Sequence, residues 1–204
     1  MDMSIPYEET GRRKQKARTR TALVEAARAI LAGGGLPTVE QAADRAGISR
    51  TTAYRYFTNR RALVIATYPE LDESSLLGDS PPSDPLERLE LVARRFTSQV
   101  VAHEPELRAQ LRLSLDPASG PDTLPLRQGR AIGWIQEALE PLQERLTKRE
   151  LRDLTLAIRA TLGIEALIWL TDVAGLTREE ATSLMRASAS TLLRGATTGT
   201  RTTR

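Results

Sequence analysis

The sequence predicts an all-α protein of about nine helices. Apolar residues recur at helical spacing along most of the 204-residue chain, and no segment alternates at period two for long enough to form a strand. Residues 38–57 have the pattern of two short helices joined by a tight turn. Residues 72–85 have the composition of a loop and divide the chain. We therefore predict an N-terminal three-helix helix-turn-helix domain at 13–71 and a C-terminal helical domain at 85–195.

Composition narrows the classes of function. The chain has no cysteine and one histidine, so we expect no disulfide, no metal site and no cofactor. No apolar run has membrane-spanning length and the start, MDMSIPYEETG, is not a secretory leader, so we expect a cytoplasmic protein without a membrane partner. Residues 1–70 carry 12 Lys and Arg against 7 Asp and Glu, while the remainder carries 17 against 19. A basic front part favours contact with a polyanion.

The front of the chain predicts a disordered segment followed by a helix. Residues 1–12 are polar and are expected to be disordered, and the stretch from Arg12 to Arg20 holds six basic residues. These fit either a solvated tail that leads into the helix or an arm that touches phosphates or the minor groove. The helix is predicted at 16–32 from one apolar stripe, made of Leu23, Ala27, Ile30 and Leu31. Three glycines at 33–35 end it.

Residues 38–57 predict the helix-turn-helix. Thr38, with Gln41 three residues later, forms a capping-box pattern, and Gly47 ends the first helix where a left-handed residue is favoured. Ser49 caps the second helix. The N-terminal part of that helix offers donors and little apolar surface, through Arg50, Thr51, Thr52, Tyr54 and Arg55. Such a helix suits the major groove of DNA, although an ordinary helical hairpin with a solvated face is the alternative interpretation.

The run AGISRTTAYRYFTNRRAL resembles the signature of the tetracycline-repressor (TetR) family of bacterial regulators. The residues that carry the resemblance are Ala46-Gly47-Ile48-Ser49, Tyr54-Arg55-Tyr56-Phe57 and Arg60. Two positions depart from the family pattern. Ala42 stands where the family usually has Ile, and Arg60 replaces a Lys but keeps its charge. The resemblance covers residues 18–65.

The resemblance implies a DNA-binding regulator whose contacts lie in this motif. The side chains expected to reach bases or nearby phosphates are Ser49, Arg50, Thr51 and Thr52. Those expected mainly to hold the phosphate backbone, which positions the protein without specifying sequence, are Thr38, Tyr54, Arg55, Tyr56 and Arg60. In the family the next helix links the DNA-binding part to a ligand-binding body.

Caps and breaks predict the remaining helices. Asn59 with Thr58 precedes a fourth helix, Asp84 or Ser83 precedes a helix that starts at Pro85, and Thr177 opens the last helix with a capping box. Pro141 should kink or divide its helix. The predicted helices after the motif are 60–71, 85 to a break at 103–105, 106–114, 126–146, 150–173 and 177–194, with loops at 72–85 and 116–125.

The last two predicted helices suggest a dimer. Residues 162–170 are apolar nearly all round, which either burial in a dimer or a central place in a monomer core would explain. The stretch TDVAGLTREEATSLMRASASTLLRGA resembles the final loop and helix of TetR-type regulators, in which two helices of each subunit form a four-helix interface. The resemblance therefore implies a homodimer through 150–173 and 177–194 that binds a palindromic double-stranded DNA operator.

The resemblance also implies a small-molecule effector, which the sequence does not identify. The candidate contacts are Phe96, His103, Trp134, Glu165 and Trp169. The three aromatic residues lie on helices that line the ligand cavity in the family, and each also fits a plain core residue. The position of His103 near a helix break suits a surface or capping group as well as a ligand contact. Glu165 fits a cavity, an ion pair with an arginine such as Arg159 across the dimer, or an edge position.

The function predicted is a ligand-responsive transcriptional regulator, specifically a repressor. The alternative, from another class of function, is a helical adaptor of the same fold that acts by protein contact. An enzyme is not expected. Glu104 and Glu106 are the closest approach to paired catalytic acids, but they should diverge around Pro105, and no nucleophile or second base accompanies them.

Overall fold

The computed structural model describes residues 5–68, 74–115 and 130–199. Within these ranges every regular element is helical, which confirms the all-α prediction, with ten α-helices where about nine were predicted. They are α1 (Ile5–Ala32), α2 (Val39–Ala46), α3 (Arg50–Tyr56), α4 (Arg60–Thr67), α5 (Pro85–Ala102), α6 (Glu104–Ser114), α7 (Arg130–Ala138), α8 (Lys148–Leu162), α9 (Ile164–Ile168) and α10 (Arg178–Gly199). A 3₁₀ turn at Glu140–Leu142 follows α7, and a π-helical turn at Trp169–Val173 follows α9.

Helix α1 begins much earlier than predicted. It starts at Ile5, so the expectation of disorder was wrong for residues 5–12, and residues 1–4 lie outside the described part of the chain. Between Tyr7 and Ala32 the sequence holds no proline and only one glycine, so a helix can continue through polar residues. Polarity alone did not distinguish a solvated helix from a disordered segment.

Two long predicted helices are divided. Pro141 separates α7 from the 3₁₀ turn, as its missing N–H predicts. The predicted helix at 150–173 is interrupted at Gly163, whose backbone is extended with φ −88° and ψ 176°. A Cβ at this position would collide with the side chains of Arg159 and Glu165. The absence of a Cβ at Gly163 leaves the two charged side chains room beside the break, which a larger residue would make them vacate.

Helix ends differ from the predictions at two further places. Helix α4 ends at Thr67 and α10 continues to Gly199, rather than 71 and 194. The residues at 69–71, the predicted loop at 116–125 and the predicted helix start at 126 lie outside the described residues.

The described residues fall into two compact units. The first unit comprises residues 5–68 and 105–115. In it, α1 packs against α2 and α4, and α2 packs against α3. Its main core consists of Leu23, Val24, Ala26, Ala27, Val39, Ala42, Ala43, Ala53, Phe57 and Leu63. A smaller cluster, made of Leu31, Val64, Ala109 and Leu113, joins α1, α4 and α6.

The second unit comprises residues 74–104 and 130–199. Helix α10 packs against α8 and α5, and α7 contacts both α5 and α8. Leu162 and Leu167 are fully buried, and Ile164 and Leu170 nearly so. A place in the core of a single chain therefore accounts for these four residues, whereas Trp169 in the same stretch is exposed.

The division into units separates the first residue of α6 from the rest of that helix. From Pro105 onward α6 groups with the first unit, whereas Glu104 groups with the second. The domain boundaries 13–71 and 85–195 stay a prediction. Among the described residues, no single helix is long and apolar enough to cross a membrane, although α8 and the segment Ile164–Val173 together reach that length across a bend of 41°.

Candidate nucleic-acid interface

The start of α2 is fixed by the capping box that the sequence predicted. The Thr38 side chain accepts from the Gln41 backbone N–H at 3.1 Å, and the Gln41 side chain accepts from the Thr38 N–H at 2.9 Å. These two bonds satisfy donors that a helix N-terminus otherwise leaves without a partner.

The turn between α2 and α3 is confirmed at Gly47. This residue is left-handed, with φ 64° and ψ 29°, and its N–H donates to the α2 carbonyls of Ala43 and Asp44. Ser49 then caps α3 by accepting from the Thr52 N–H at 3.3 Å, while its hydroxyl donates to the Thr52 Oγ1 at 2.9 Å. The direction in which α3 leaves the turn is therefore set by backbone geometry and one cap.

Small residues let α3 approach α2 closely. Ala53 is the one residue that α3 buries, and it joins the core that contains Ala42 and Ala43. Ala42, which stands where the TetR signature usually has Ile, is itself fully buried. Tyr56 is half-buried against the same core, whereas Arg50, Thr51, Tyr54 and Arg55 of α3 are exposed.

The predicted DNA-contacting side chains differ in exposure. Thr38, Thr52 and Tyr56 are half-buried, and Ser49, Arg50, Thr51, Tyr54, Arg55 and Arg60 are exposed. Arg60 is the first residue of α4, after the Asn59 cap, whose side chain accepts from the Ala62 N–H at 2.8 Å. A cation at a helix N-terminus meets the positive end of the macrodipole, so Arg60 does not stabilise α4 by its charge and suits contact with an external anion.

Two acidic residues on α2 contact this surface, and the sequence analysis missed both. Glu40 accepts a hydrogen bond from the Tyr54 hydroxyl. Asp44 Oδ2 lies 3.4 Å from Arg50 Nη2, with both side chains mostly exposed. Their spacing of four residues, matched by the same spacing between Arg50 and Tyr54, was the signal available in the sequence.

The pKa values of one of these pairs shift in opposite directions. The pKa of Glu40 is lowered, chiefly because the Tyr54 hydroxyl donates to its carboxylate and further because of the nearby Arg50 charge. The pKa of Tyr54 is raised, chiefly by the same bond to Glu40. Both shifts favour a charged Glu40 and a protonated Tyr54 at neutral pH.

Helix α1 brings further positive charge to the first unit. The exposed side chains between residues 13 and 20 include Arg13, Lys14, Lys16, Arg18 and Arg20. The Arg20 guanidinium lies over the Phe57 ring, 5.7 Å from its centroid, directly after α3. The sequence placed these charges in an arm or a solvated tail, and the structure places them on continuous helix.

Three of the five predicted effector contacts belong to one cluster in the second unit. The buried rings of Phe96 and Trp134 meet edge to face with centroids 5.9 Å apart. The Arg159 guanidinium lies 5.5 Å from the Phe96 centroid and 3.7 Å from Glu165. The Arg159–Glu165 pair thus forms within one chain. The sequence named Arg159 as a partner but gave no signal for its stacking on Phe96.

The other two predicted effector contacts lie elsewhere. His103 ends α5, and its backbone N–H donates to the Gln99 carbonyl at 3.0 Å. Trp169 begins the π-helical turn and is 58% exposed, so it is outside the buried aromatic cluster. Their roles stay predictions. Among the described residues no group of three potential metal ligands is found.

Comparison with known proteins agrees with this arrangement. Residues 23–67, which contain α2, α3 and α4, match the bacterial regulatory proteins of the tetR family. The match assigns residues 23–67, rather than the whole chain, to this family. Its fold is similar to the crystal structure of a TetR transcriptional regulator from Rhodococcus sp. RHA1, with a TM-score of 0.55 and 21% identity over 88% of this chain and 97% of that chain. No curated protein matches the sequence.

The turn geometry generates a first prediction. We expect Gly47→Ala to lower the free energy of unfolding by about 1–2 kcal/mol, because a residue with a Cβ is strained in the left-handed region. Urea denaturation followed by circular dichroism measures the change.

The matched control is Gly133→Ala. Gly133 is exposed inside α7, and a Cβ there meets nothing within 4 Å. It should raise stability by about 0.5–1 kcal/mol because alanine loses less backbone entropy in a helix. A Gly47→Ala protein as stable as the wild type would mean that the turn adopts another backbone conformation.

Proposed function

We propose that this protein is a DNA-binding transcriptional regulator, specifically a ligand-responsive repressor that acts in the cytoplasm as a homodimer on a palindromic operator. The observation that carries the proposal is α3, which has seven residues, buries Ala53 alone and turns Arg50, Thr51, Tyr54 and Arg55 toward solvent. A short helix that exposes a row of donors beside other basic groups has the surface that major-groove contact needs.

The two-fold arrangement would place one α3 in each of two successive major grooves, about 34–36 Å apart. Arg50 and Thr51 at the start of α3 would reach base edges, with Ser49 and Thr52 beside them. Tyr54, Arg55, Tyr56, Thr38 and Arg60 would hold the phosphate backbone, which fixes the register of α3 on the duplex.

Two other classes of function have less support. An adaptor acting by protein contact would have no need for the exposed cations on α1, α3 and α4. Enzymatic chemistry at Glu104 would compete with its ion pair, since Arg178 Nε and Nη2 bind its two carboxylate oxygens at 2.6 and 3.1 Å. A gel shift with the DNA upstream of its own gene separates regulator from adaptor.

We predict that Arg50→Ala relaxes base preference at one step in each half-site. A bidentate base contact supplies about 1–3 kcal/mol of discrimination, so binding to a duplex that the protein selects from a random pool should weaken by about tenfold or more. The selection is repeated with the variant to read the preference. Equal losses on selected and unselected duplex would make Arg50 a phosphate contact.

Arg60→Ala and Tyr54→Phe serve as the comparison in the same assay. Arg60→Ala should weaken selected and unselected duplex alike, because a phosphate contact carries no sequence information. Tyr54→Phe should weaken binding to the selected duplex without changing which bases are preferred. For Arg60→Ala the slope of log K against log salt should shrink by about 0.9. An unchanged slope removes Arg60 from the interface.

Dimerisation is supported by apolar side chains on the outside of the second unit. Leu156 on α8 is 41% exposed, and Leu184 and Leu192 on α10 are 47% and 36% exposed. Leu184 and Leu192 are eight residues apart and so share one stripe of α10. An isologous two-fold contact between copies would cover such residues. The two helices packed together, α8 and α10, are those that the TetR resemblance implies for the interface.

We predict that Leu184→Glu and Leu192→Glu each produce monomers and abolish tight operator binding, because a charge would be desolvated without a partner. Sedimentation at micromolar concentration measures the oligomeric state. Ser183→Glu, on another exposed face of α10, should remain dimeric. Leu167→Glu is unsuitable because Leu167 is fully buried in its own chain. A monomeric wild type, or a dimer in both leucine variants, would refute this interface.

Ligand response is supported by the cluster of Phe96, Trp134, Arg159 and Glu165. It joins two aromatic rings with an ion pair that is only partly buried, beside the helix break at Gly163. Aromatic walls with few polar groups are typical of small-molecule sites. An effector there would release the operator only by binding one state of the dimer better than the other.

The two tryptophans allow a test of this site. We expect a compound that releases the protein from its operator to change the fluorescence of the Trp169→Phe variant, in which Trp134 alone reports. The same compound should leave the emission of the Trp134→Phe variant, which reports from the exposed Trp169, nearly unchanged. The reverse pattern would place the effector away from Phe96 and Trp134.

A further inference from the structure

Helix α2 presents two carboxylates to two donors of α3. Glu40 and Asp44 are four residues apart on α2, and Arg50 and Tyr54 are four residues apart on α3. The Tyr54 hydroxyl donates to Glu40, and Arg50 lies 3.4 Å from Asp44. Because residues four apart share one face of a helix, the two contacts form successive rungs between α2 and α3.

These rungs do little to hold the fold together. The packing of α3 on α2 already rests on Ala53, Ala42 and Ala43, and its start on the cap at Ser49. Both side chains of the Arg50–Asp44 pair are more than 60% exposed, and exposed pairs contribute little to stability. The carboxylates instead lie against the two side chains of α3 that would meet DNA.

We propose that Glu40 and Asp44 are specificity-determining residues, which hold Arg50 and Tyr54 back from random phosphates and so penalise non-specific DNA binding. This inference rests on the proposed contact of α3 with the major groove. It assigns the two acids a role in choosing among sequences rather than in contacting a base.

The physical argument begins with competition for donors. The Tyr54 hydroxyl has one hydrogen, so binding a phosphate requires it to leave Glu40. Nη2 of Arg50 can turn to a phosphate only if it leaves Asp44. Each release leaves an ionised carboxylate without its partner near the DNA backbone, where like charges repel. Contact of Arg50 or Tyr54 with any phosphate therefore costs the free energy of its interaction with the carboxylate. A non-specific complex has to offset that cost.

In a specific complex, a base contact offsets this cost. At the right base step, Arg50 can donate two bonds to one base edge, which a single phosphate contact in random sequence does not replace. Non-specific binding consists almost entirely of phosphate contacts, so removing the carboxylates should favour it more than specific binding. The acids thus lower affinity overall while widening the difference between operator and other DNA.

The test compares Glu40→Gln and Asp44→Asn with Glu25→Gln. All three remove one negative charge from the first unit, but Glu25 pairs with Arg28 on α1, away from α3. The full-length protein is titrated with a duplex selected from a random pool and with an unselected duplex, over a range of salt. Thermal unfolding followed by circular dichroism checks that each variant is folded.

The expected result is a fall in specificity. Each of the two α2 variants should bind the unselected duplex about 2- to 5-fold more tightly than the wild type, the range that one exposed charge pair supports. Binding to the selected duplex should change less. Asp44→Asn should also steepen the salt slope on the unselected duplex by about 0.9, because Arg50 becomes available for one more phosphate. Glu25→Gln should alter both duplexes equally.

A second measurement separates action through Tyr54 from a general charge effect. If Glu40 acts by holding the hydroxyl, Glu40→Gln should have a smaller effect in a Tyr54→Phe background than in the wild type. A specificity ratio equal to that of Glu25→Gln, or weaker binding to both duplexes, would overturn the proposal while leaving DNA binding by α3 intact. A wild type that binds no duplex at all would overturn the proposed DNA contact itself, and this inference with it.

Discussion

The close contact between α2 and α3 is the constraint on which the proposed DNA-contacting surface depends. A helix of seven residues is too short to be stable alone in water, so α3 exists because its surroundings impose its conformation. Those surroundings are few: the left-handed Gly47, the Ser49 cap and the burial of Ala53. Each uses backbone geometry or a very small side chain. Because these few contacts hold α3 in place, its exposed long polar side chains are not needed for the fold and are available for an external partner.

The sequence predicted these features because each has a local signature. The capping box at Thr38, the turn at Gly47 and the division at Pro141 depend on residues within four positions of one another, and the structure has all three. The start of α1 and the break at Gly163 were missed for a different reason. Polar composition does not separate a solvated helix from a disordered segment. A glycine inside an apolar run gives no sign that Arg159 and Glu165 fill the space beside it.

The same holds for the candidate sites: the sequence predicted what depends on local motifs and missed what depends on long-range packing. The positions of the α3 donors came from the motif, but their acidic neighbours on α2 depend on how two helices cross. In the second unit, the sequence did not distinguish among Phe96, Trp134 and Trp169 as candidate effector contacts. Packing separates them, because two rings are buried against each other and the third lies on an exposed turn. Likewise, Leu162 and Leu167 are internal, and the residues that a dimer would cover are the exposed leucines of α8 and α10.

The charges of the first unit are subject to two opposing requirements, which are affinity for DNA and choice among sequences. Exposed cations on α1, α3 and α4 raise affinity for any duplex, and an affinity of that kind would distribute a regulator over the whole genome. Sequence choice requires that the same cations gain more from one arrangement of bases than from phosphates in general. Helix α2 is suited to supply that difference, because its fixed register against α3 sets two carboxylates beside two donors. A loop carrying the same acids would not hold them at matched spacing. The short turn at Gly47 therefore determines both where the donors of α3 point and which charges they must leave in order to bind.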